Sequence, residues 1–276
     1  LDDDGIAGQK TLEMLYSNDA QPMLVTPTPA AVQVLAGSQP LLVNRQHPVA
    51  SDFAPADLVN LSEYCDSSLV KIKYDGTQGV REAADALLRM LEAAKADGIT
   101  NWQVSAAYRS YADQQRIFDN KVKSFQNNNP DWSLSRCRSA ASVTVADPGA
   151  SEHQTGLGLD VYVAQKAQRR FIDSKSGVWV DQNSWKYGFI IRYPFLKAGE
   201  TGQSYEPWHL RFVGKPHAEL IYRNRHTLES YLDSLETGVY YTFDGYGFTL
   251  QEPDEEGNLL LPSSWTEVTL SPDNNG

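Results

Sequence analysis

Ser151-Glu152-His153-Gln154-Thr155-Gly156-Leu157-Gly158-Leu159-Asp160 is the stretch on which the reading of this chain turns. His153 and Asp160 are separated by a segment carrying Gly156 and Gly158, residues that permit a tight turn. Beyond the turn the sequence alternates. Leu159, Val161 and Val163 fall on one side, Asp160 and Tyr162 on the other, which is the period of a strand with one apolar face. A loop histidine and a strand aspartate are thereby aimed at one point. A second alternating stretch, 208–213, sets Leu210 and Phe212 against His209 and Arg211, with Glu206 three residues before His209 across Pro207. In both strands the polar residue faces away from the apolar side, as expected of a site on the open face of an antiparallel sheet.

Two histidines and two carboxylates suit a single zinc ion. Catalytic zinc takes three protein ligands from imidazole nitrogen and carboxylate oxygen and keeps a position for water. The spacing assigns His153, Asp160 and His209 as ligands and leaves Glu206 close to the metal as a free base. Arg109, at the end of a strand before a helix, is the candidate to hold a developing oxyanion. This is the donor set of a zinc hydrolase. The other histidines, His47, His217 and His226, are assigned to structure or surface.

The remaining pattern places these residues on α and β elements. Apolar positions through 80–98 (Val80, Ala84, Leu87, Leu88, Leu91, Ala94) predict an amphipathic helix stopped at Gly98. Residues 102–108 read as a strand. Ser110 with Asp113 opens a helix whose inner face carries Tyr111, Phe118, Val122 and Phe125. Residues 126–150 read as a long polar loop, 189–193 as a strand, 215–235 as one helix, and the segments after Gly238 as short strands.

Composition excludes some functions. The 276 residues carry a net charge of −11, and ten of the 35 acidic side chains but none of the 24 basic ones fall in 226–276. Nucleic-acid binding wants the opposite balance. No stretch approaches the ~20 apolar residues of a membrane span. The absence of an initiator Met and of a signal-peptide pattern suggests a piece of a longer precursor. Cys65 and Cys137 are in no CxxC spacing, so a thiolate zinc site is not expected; one disulfide and two separate thiols both stay open.

Two resemblances follow. Asp4-Gly5-x-x-Gly8-x-x-Thr11, within 1–17, resembles the closing segment of small three-helix peptidoglycan-binding repeats. Ser151-x-His153-x-x-Gly156-x-x-x-Asp160 and Glu206-x-Trp208-His209 resemble the VanY-type D-alanyl-D-alanine carboxypeptidases. Ala107-Tyr108-Arg109-Ser110-Tyr111 with Gln114, and residues 187–194 (YGFIIRYP), match two further blocks of that family, in family order over about 47–235. The second resemblance implies an α+β fold shared with hedgehog and lysostaphin-like domains, its antiparallel sheet carrying one Zn2+ and flanked by helices. It implies Glu206 as catalytic base, Arg109 near the scissile carbonyl, and Gln114, Ser151 and Trp208 around the substrate peptide. The expected partners are peptidoglycan stem peptides at the bacterial cell wall, outside the cell. The expected layout is a binding-module remnant at 1–17, a Pro-rich linker at 18–46, the zinc domain at 47–235 and an acidic β-rich extension at 236–276. An endopeptidase on the same fold, or a non-catalytic wall-binding module, are the alternative readings.

Overall fold

The computed structural model describes residues 33–35, 40–163, 171, 174–237, 239–241, 246–249, 258–260 and 266–267. The chain divides into two compact units: residues 37–236 form one, and residues 1–36 with 237–276 form the other. In the second unit, β1 (Gln33–Leu35) pairs antiparallel with β11 (Asn258–Leu260). β9 (Val239–Tyr241), β10 (Tyr246–Thr249) and β12 (Thr266–Glu267) make a three-stranded antiparallel sheet with β10 central. β1 falls in the Pro-rich segment; the motif of residues 1–17 lies outside the described residues.

The larger unit is built on a five-stranded sheet. Its strands are β3 (Val70–Ile72), β5 (Trp102–Ala106), β6 (Gly158–Val163), β7 (Phe189–Ile191) and β8 (His209–Phe212), in the order β3-β5-β6-β8-β7. β3 and β5 run parallel and every other neighbouring pair runs antiparallel. The sheet is therefore mixed at one edge rather than wholly antiparallel. A separate hairpin-like pair, β2 (Leu58–Asn60) and β4 (Gln78–Val80), lies outside it, with the one-turn helix α1 (Leu61–Tyr64) following β2.

One face of the sheet is covered by α2 (Arg81–Ala96). Its buried residues are Ala83, Ala84, Ala86, Leu87, Met90, Leu91 and Ala94; the four alanines let the helix axis approach, and the long side chains interlock with Trp102, Val104, Leu159, Val161 and Leu210. Each fully buried Leu or Met contributes about 1.5–3 kcal/mol of transfer free energy. Gly98, at φ +79°, ends the helix as the sequence predicts. Leu88 is only partly buried, so the apolar stripe is slightly narrower than its sequence pattern.

α3 (Tyr111–Asn128) begins where Ser110 accepts a hydrogen bond from the Asp113 amide (3.1 Å) and donates to the Asp113 carboxylate (2.7 Å). The predicted loop after it is partly wrong: residues 134–141 form α4 (Leu134–Ala141), capped by Ser133. Cys137 and Ala141 bury against Phe118 and Val122 of α3, and Phe125 stacks on Trp132. Only this tertiary contact reveals the helix, because Arg and Ser dilute its short apolar face. α5 (Lys175–Asn183), capped by Ser174, and the one-turn α6 (Ala198–Thr201) were not anticipated. The single helix read over 215–235 is two, α7 (Lys215–Arg223) and α8 (Leu228–Thr237). Arg225 adopts φ +55° at the break, and Thr227 caps α8 by accepting from the Ser230 amide while Ser230 Oγ accepts from the Thr227 amide. Cys65 and Cys137 are both free and buried in different apolar clusters, so they form no disulfide.

Candidate metal centre

β6 and β8 are neighbours, and Asp160 and His209 are direct cross-strand partners, so both side chains rise from the same face. Leu159 and Leu210, also paired, point into the α2 core. His153 arrives from a 3-10 turn, Glu152–Thr155, that closes on Gly156 at φ +66°. A side chain at Gly156 would meet Leu58 and Val80 at 3.0 Å, so the turn needs glycine for space as well as for conformation. The backbone ties the turn to the segment that follows β5: the Arg109 amide donates to the His153 carbonyl (3.0 Å). The ligand face is not open as predicted. All four residues of β8 are buried, Arg211 completely, and the 3-10 turn roofs the strands beside a cleft.

The geometry gives each imidazole a defined forward nitrogen. His153 Nδ1 donates to the Ala107 carbonyl at 2.7 Å, which leaves Nε2 facing Asp160 Oδ2 at 3.6 Å. His209 presents Nδ1 to Asp160 Oδ1 at 3.0 Å. One donor atom from each of His153, Asp160 and His209 lies within 4.8 Å of the others. Two nitrogens and a carboxylate oxygen are a zinc-type donor set with room for a further ligand, and the carbonyl holding His153 is the outer partner such ligands carry.

Charge distribution fits a cation here. Burial, aided by Arg109, takes His153 down to about 3, so it is a neutral donor at neutral pH. Burial opposes the Asp160 carboxylate, but His153 and His209 outweigh it and hold it at about 2. Burial also opposes a proton on His209, yet Asp160 and Glu152 raise that group to about 9. The carboxylates thus demand positive charge at His209, which a divalent cation provides while leaving the ring neutral.

All eight residues singled out from the sequence (Arg109, Gln114, Ser151, His153, Asp160, Glu206, Trp208 and His209) line one cleft of about 180 Å3. Arg109 Nη1 donates to Gln114 Oε1 (3.2 Å), and Gln114 Nε2 donates to the Ala146 carbonyl (2.7 Å), so the guanidinium is held at the rim with Nη2 3.7 Å from Asp160 Oδ2. The Glu206 amide donates to the Tyr193 carbonyl and the His209 amide to the Glu206 carbonyl, both at 3.1 Å; this turn places Glu206 beside the ligands. Burial lifts the Glu206 carboxyl to about 7 despite the pull of His209. The sequence reading missed Tyr193, Gln203 and the 144–146 wall of the same cleft. Tyr193 stacks obliquely on His209 with ring centroids 5.0 Å apart, and Gln203 Nε2 donates to the Ser142 carbonyl. Tyr193 was legible as part of YGFIIRYP; Gln203 carried no local signal. A larger cavity of about 260 Å3 beside β7 is mainly apolar and gathers none of the eight.

Comparison with known proteins finds relatives over the unit that carries this cleft. A family profile described as VanY, D-alanyl-D-alanine carboxypeptidase, matches residues 78–215. The putative carboxypeptidase YodJ of Bacillus subtilis is 41% identical over 199 residues, covering 71% of this chain and 67% of that protein. A D-alanyl-D-alanine carboxypeptidase of Enterococcus faecium is 31% identical over 205 residues; the match covers 71% of this chain but only 58% of that relative. Among solved structures, a mutant VanY D,D-pentapeptidase from a VanB-type resistance cassette, in complex with Zn(II), has a TM-score of 0.57 and 35% identity, covering 69% of this chain and 97% of its own. The LD-carboxypeptidase LdcB has a TM-score of 0.59 and 38% identity, covering 70% and 84%. VanYB in complex with D-alanine-D-alanine has a TM-score of 0.57 and 34% identity, covering 70% and 96%.

Proposed function

The chain belongs to the VanY family of D-alanyl-D-alanine carboxypeptidases, and on that premise we propose that it is a zinc-dependent carboxypeptidase removing the terminal D-alanine of peptidoglycan stem peptides. The observation that carries the proposal is the convergence of His153, Asp160 and His209 in a cleft that also holds Glu206 outside the ligand set. A structural metal site has no use for a half-buried free carboxylate beside it.

His153 Nε2, Asp160 and His209 Nδ1 would hold the ion. When bound, zinc polarises the scissile carbonyl and lowers the pKa of a water toward ~7. Glu206, raised by burial into the range of a neutral-pH base, accepts a proton from the attacking water. It then delivers that proton to the leaving nitrogen as the C–N bond breaks, releasing free D-alanine and a stem shortened by one residue. Arg109, held by Gln114, faces the same cleft and stabilises negative charge developing on the carbonyl oxygen. Ser151, Gln114 and Trp208 line the cleft where the peptide would lie. Solved relatives described as bound to D-alanine-D-alanine and to Zn(II) support the substrate class and the metal. We place the activity at the bacterial wall, where the substrate is; no helix among the described residues is long and apolar enough to cross a membrane.

Defined tri-, tetra- and pentapeptide stems, incubated with the protein with and without chelator and resolved by mass spectrometry, test the proposal. The expected result is loss of one alanine from the tetra- or pentapeptide, abolished by chelation and restored by zinc. Cleavage within the stem, or chelator-resistant cleavage, would refute it.

A further inference from the structure

Beside the metal centre lies a second charge cluster, buried except at one partly exposed carboxylate, that the proposed reaction does not use. Glu152 precedes His153 and its side chain is completely enclosed. Its Oε1 accepts from two arginines that are themselves fully buried, Arg192 Nε (2.6 Å) and Arg211 Nη1 (2.7 Å). Arg192 turns its two terminal nitrogens to Glu229 (2.8 and 2.6 Å), and Arg211 Nη2 donates to the Leu41 carbonyl (2.7 Å). Two carboxylates therefore balance two guanidiniums, and the cluster is closed without any group from the metal centre.

Glu152 Oε2 is left over. It and His209 Nε2 are two of four buried side-chain polar atoms without a hydrogen-bond partner among the described residues. They face each other at 3.6 Å, just outside hydrogen-bond reach, one an acceptor and the other able to donate. An unsatisfied buried polar atom is destabilising, so two orphans aimed at each other make a donor–acceptor pair that needs only the proton on Nε2. That proton is the one His209 carries when Nδ1 is a metal ligand. Gly158 keeps the approach clear: a Cβ there would stand 3.1 Å from His209 Nε2.

We infer that Glu152 is a positioning residue for the metal site, accepting the Nε2 proton of His209 and so fixing the tautomer and ring orientation that turn Nδ1 toward the ion. Arg192 and Arg211 keep Glu152 ionised and hold Oε1, so that Oε2 alone remains for His209. The rival account is that Glu152 only neutralises two buried arginines. The inference rests on the metal reading above, so the test includes a variant that examines that reading by itself.

Zinc affinity is measured by competition with a chromophoric chelator for wild type, His153→Ala, Glu152→Gln and Glu229→Gln, each checked for folding by circular dichroism. Glu152→Gln turns an amide N–H2 toward His209 Nε2 and favours the wrong tautomer. It is expected to weaken zinc binding about 10–100-fold. Glu229→Gln disturbs the same arginine network but does not reach His209, and is expected to stay within about twofold of wild type. Wild-type affinity in folded Glu152→Gln, or equal losses in both variants, would overturn the inference. Unchanged zinc in His153→Ala would instead overturn the metal reading. If Glu152→Gln fails to fold, NMR of the zinc-loaded wild-type protein decides the point: the His209 Nε2–H proton is expected at the downfield shift of a hydrogen bond to a carboxylate, and an unshifted Nε2–H, or a proton on Nδ1, overturns the inference.

Discussion

Gly158→Ala perturbs the metal centre without touching a ligand. Gly158 has no positive φ, so alanine meets no backbone strain there. The added Cβ would lie 3.1 Å from His209 Nε2, 3.2 Å from its Cε1 and 3.4 Å from the Glu152 carbonyl carbon. These contacts force the imidazole to retreat by a few tenths of an ångström. It has little room to do so. Its Nδ1 is 3.0 Å from Asp160, its ring centroid is 4.8 Å from that of His153, and Tyr193 covers it at 5.0 Å. Overpacking of this kind costs about 1–3 kcal/mol. For a unit of this size that lowers Tm by about 2–4 °C per kcal/mol. A displaced ligand should also weaken zinc binding by about tenfold or more, comparable to losing an outer-shell partner. Gly79→Ala is the control, because its Cβ would meet only Leu61 at an ordinary 3.4 Å. Thermal melts of the metal-free protein and chelator-competition titrations read both effects. If Gly158→Ala melts and binds zinc like wild type while Gly79→Ala does the same, the packing of His209 described above is wrong.

Glu206→Gln keeps the shape of the cleft but removes the base. Turnover should fall by about 10^2–10^4 while zinc content measured by elemental analysis stays at wild-type level; substantial residual turnover contradicts the role. The pH profile carries the same residue. Burial puts the Glu206 carboxyl at about 7, and a nearby cation moves it lower. Log kcat/KM should therefore fall with unit slope on acidification below a limb at or under pH 7, and a rate that rises from pH 7 to 5 excludes a carboxylate base. Cys65, pushed up to about 11 by burial, and Cys137 are both enclosed and unbonded. Neither should react with a thiol reagent in the native protein, and two thiols should appear on denaturation without reductant; finding none would reveal a disulfide.

The ligand strands were legible because their chemistry and period coincide. Asp160 and His209 sit out of phase with Leu159, Val161, Leu210 and Phe212, so the alternation that buries the core also orients the donors. Gly98 and Ser110 marked helix ends through local chemistry that needs no tertiary partner. The misses share the opposite property. α4 is short and polar, and only Phe118 and Val122 on α3 give Cys137 and Ala141 something to pack against. The break between α7 and α8 falls in the polar run Arg223-Asn224-Arg225-His226-Thr227, which has no glycine or proline to mark a stop, although Thr227 with Ser230 was a readable cap. The parallel pairing of β3 with β5 left no local trace. Closure of the ligand face depends on Arg192 and Arg211 folding inward onto Glu152, and charged residues in an alternating strand read naturally as solvent-facing.

Anomalous diffraction at the zinc edge, from crystals of the zinc-loaded protein, tests the central claim most directly. One peak is predicted about 2.0–2.2 Å from His153 Nε2, an Asp160 oxygen and His209 Nδ1, with Glu206 near it but unbonded. A peak elsewhere, a missing one, or Glu206 taking the place of any of the three would contradict the account.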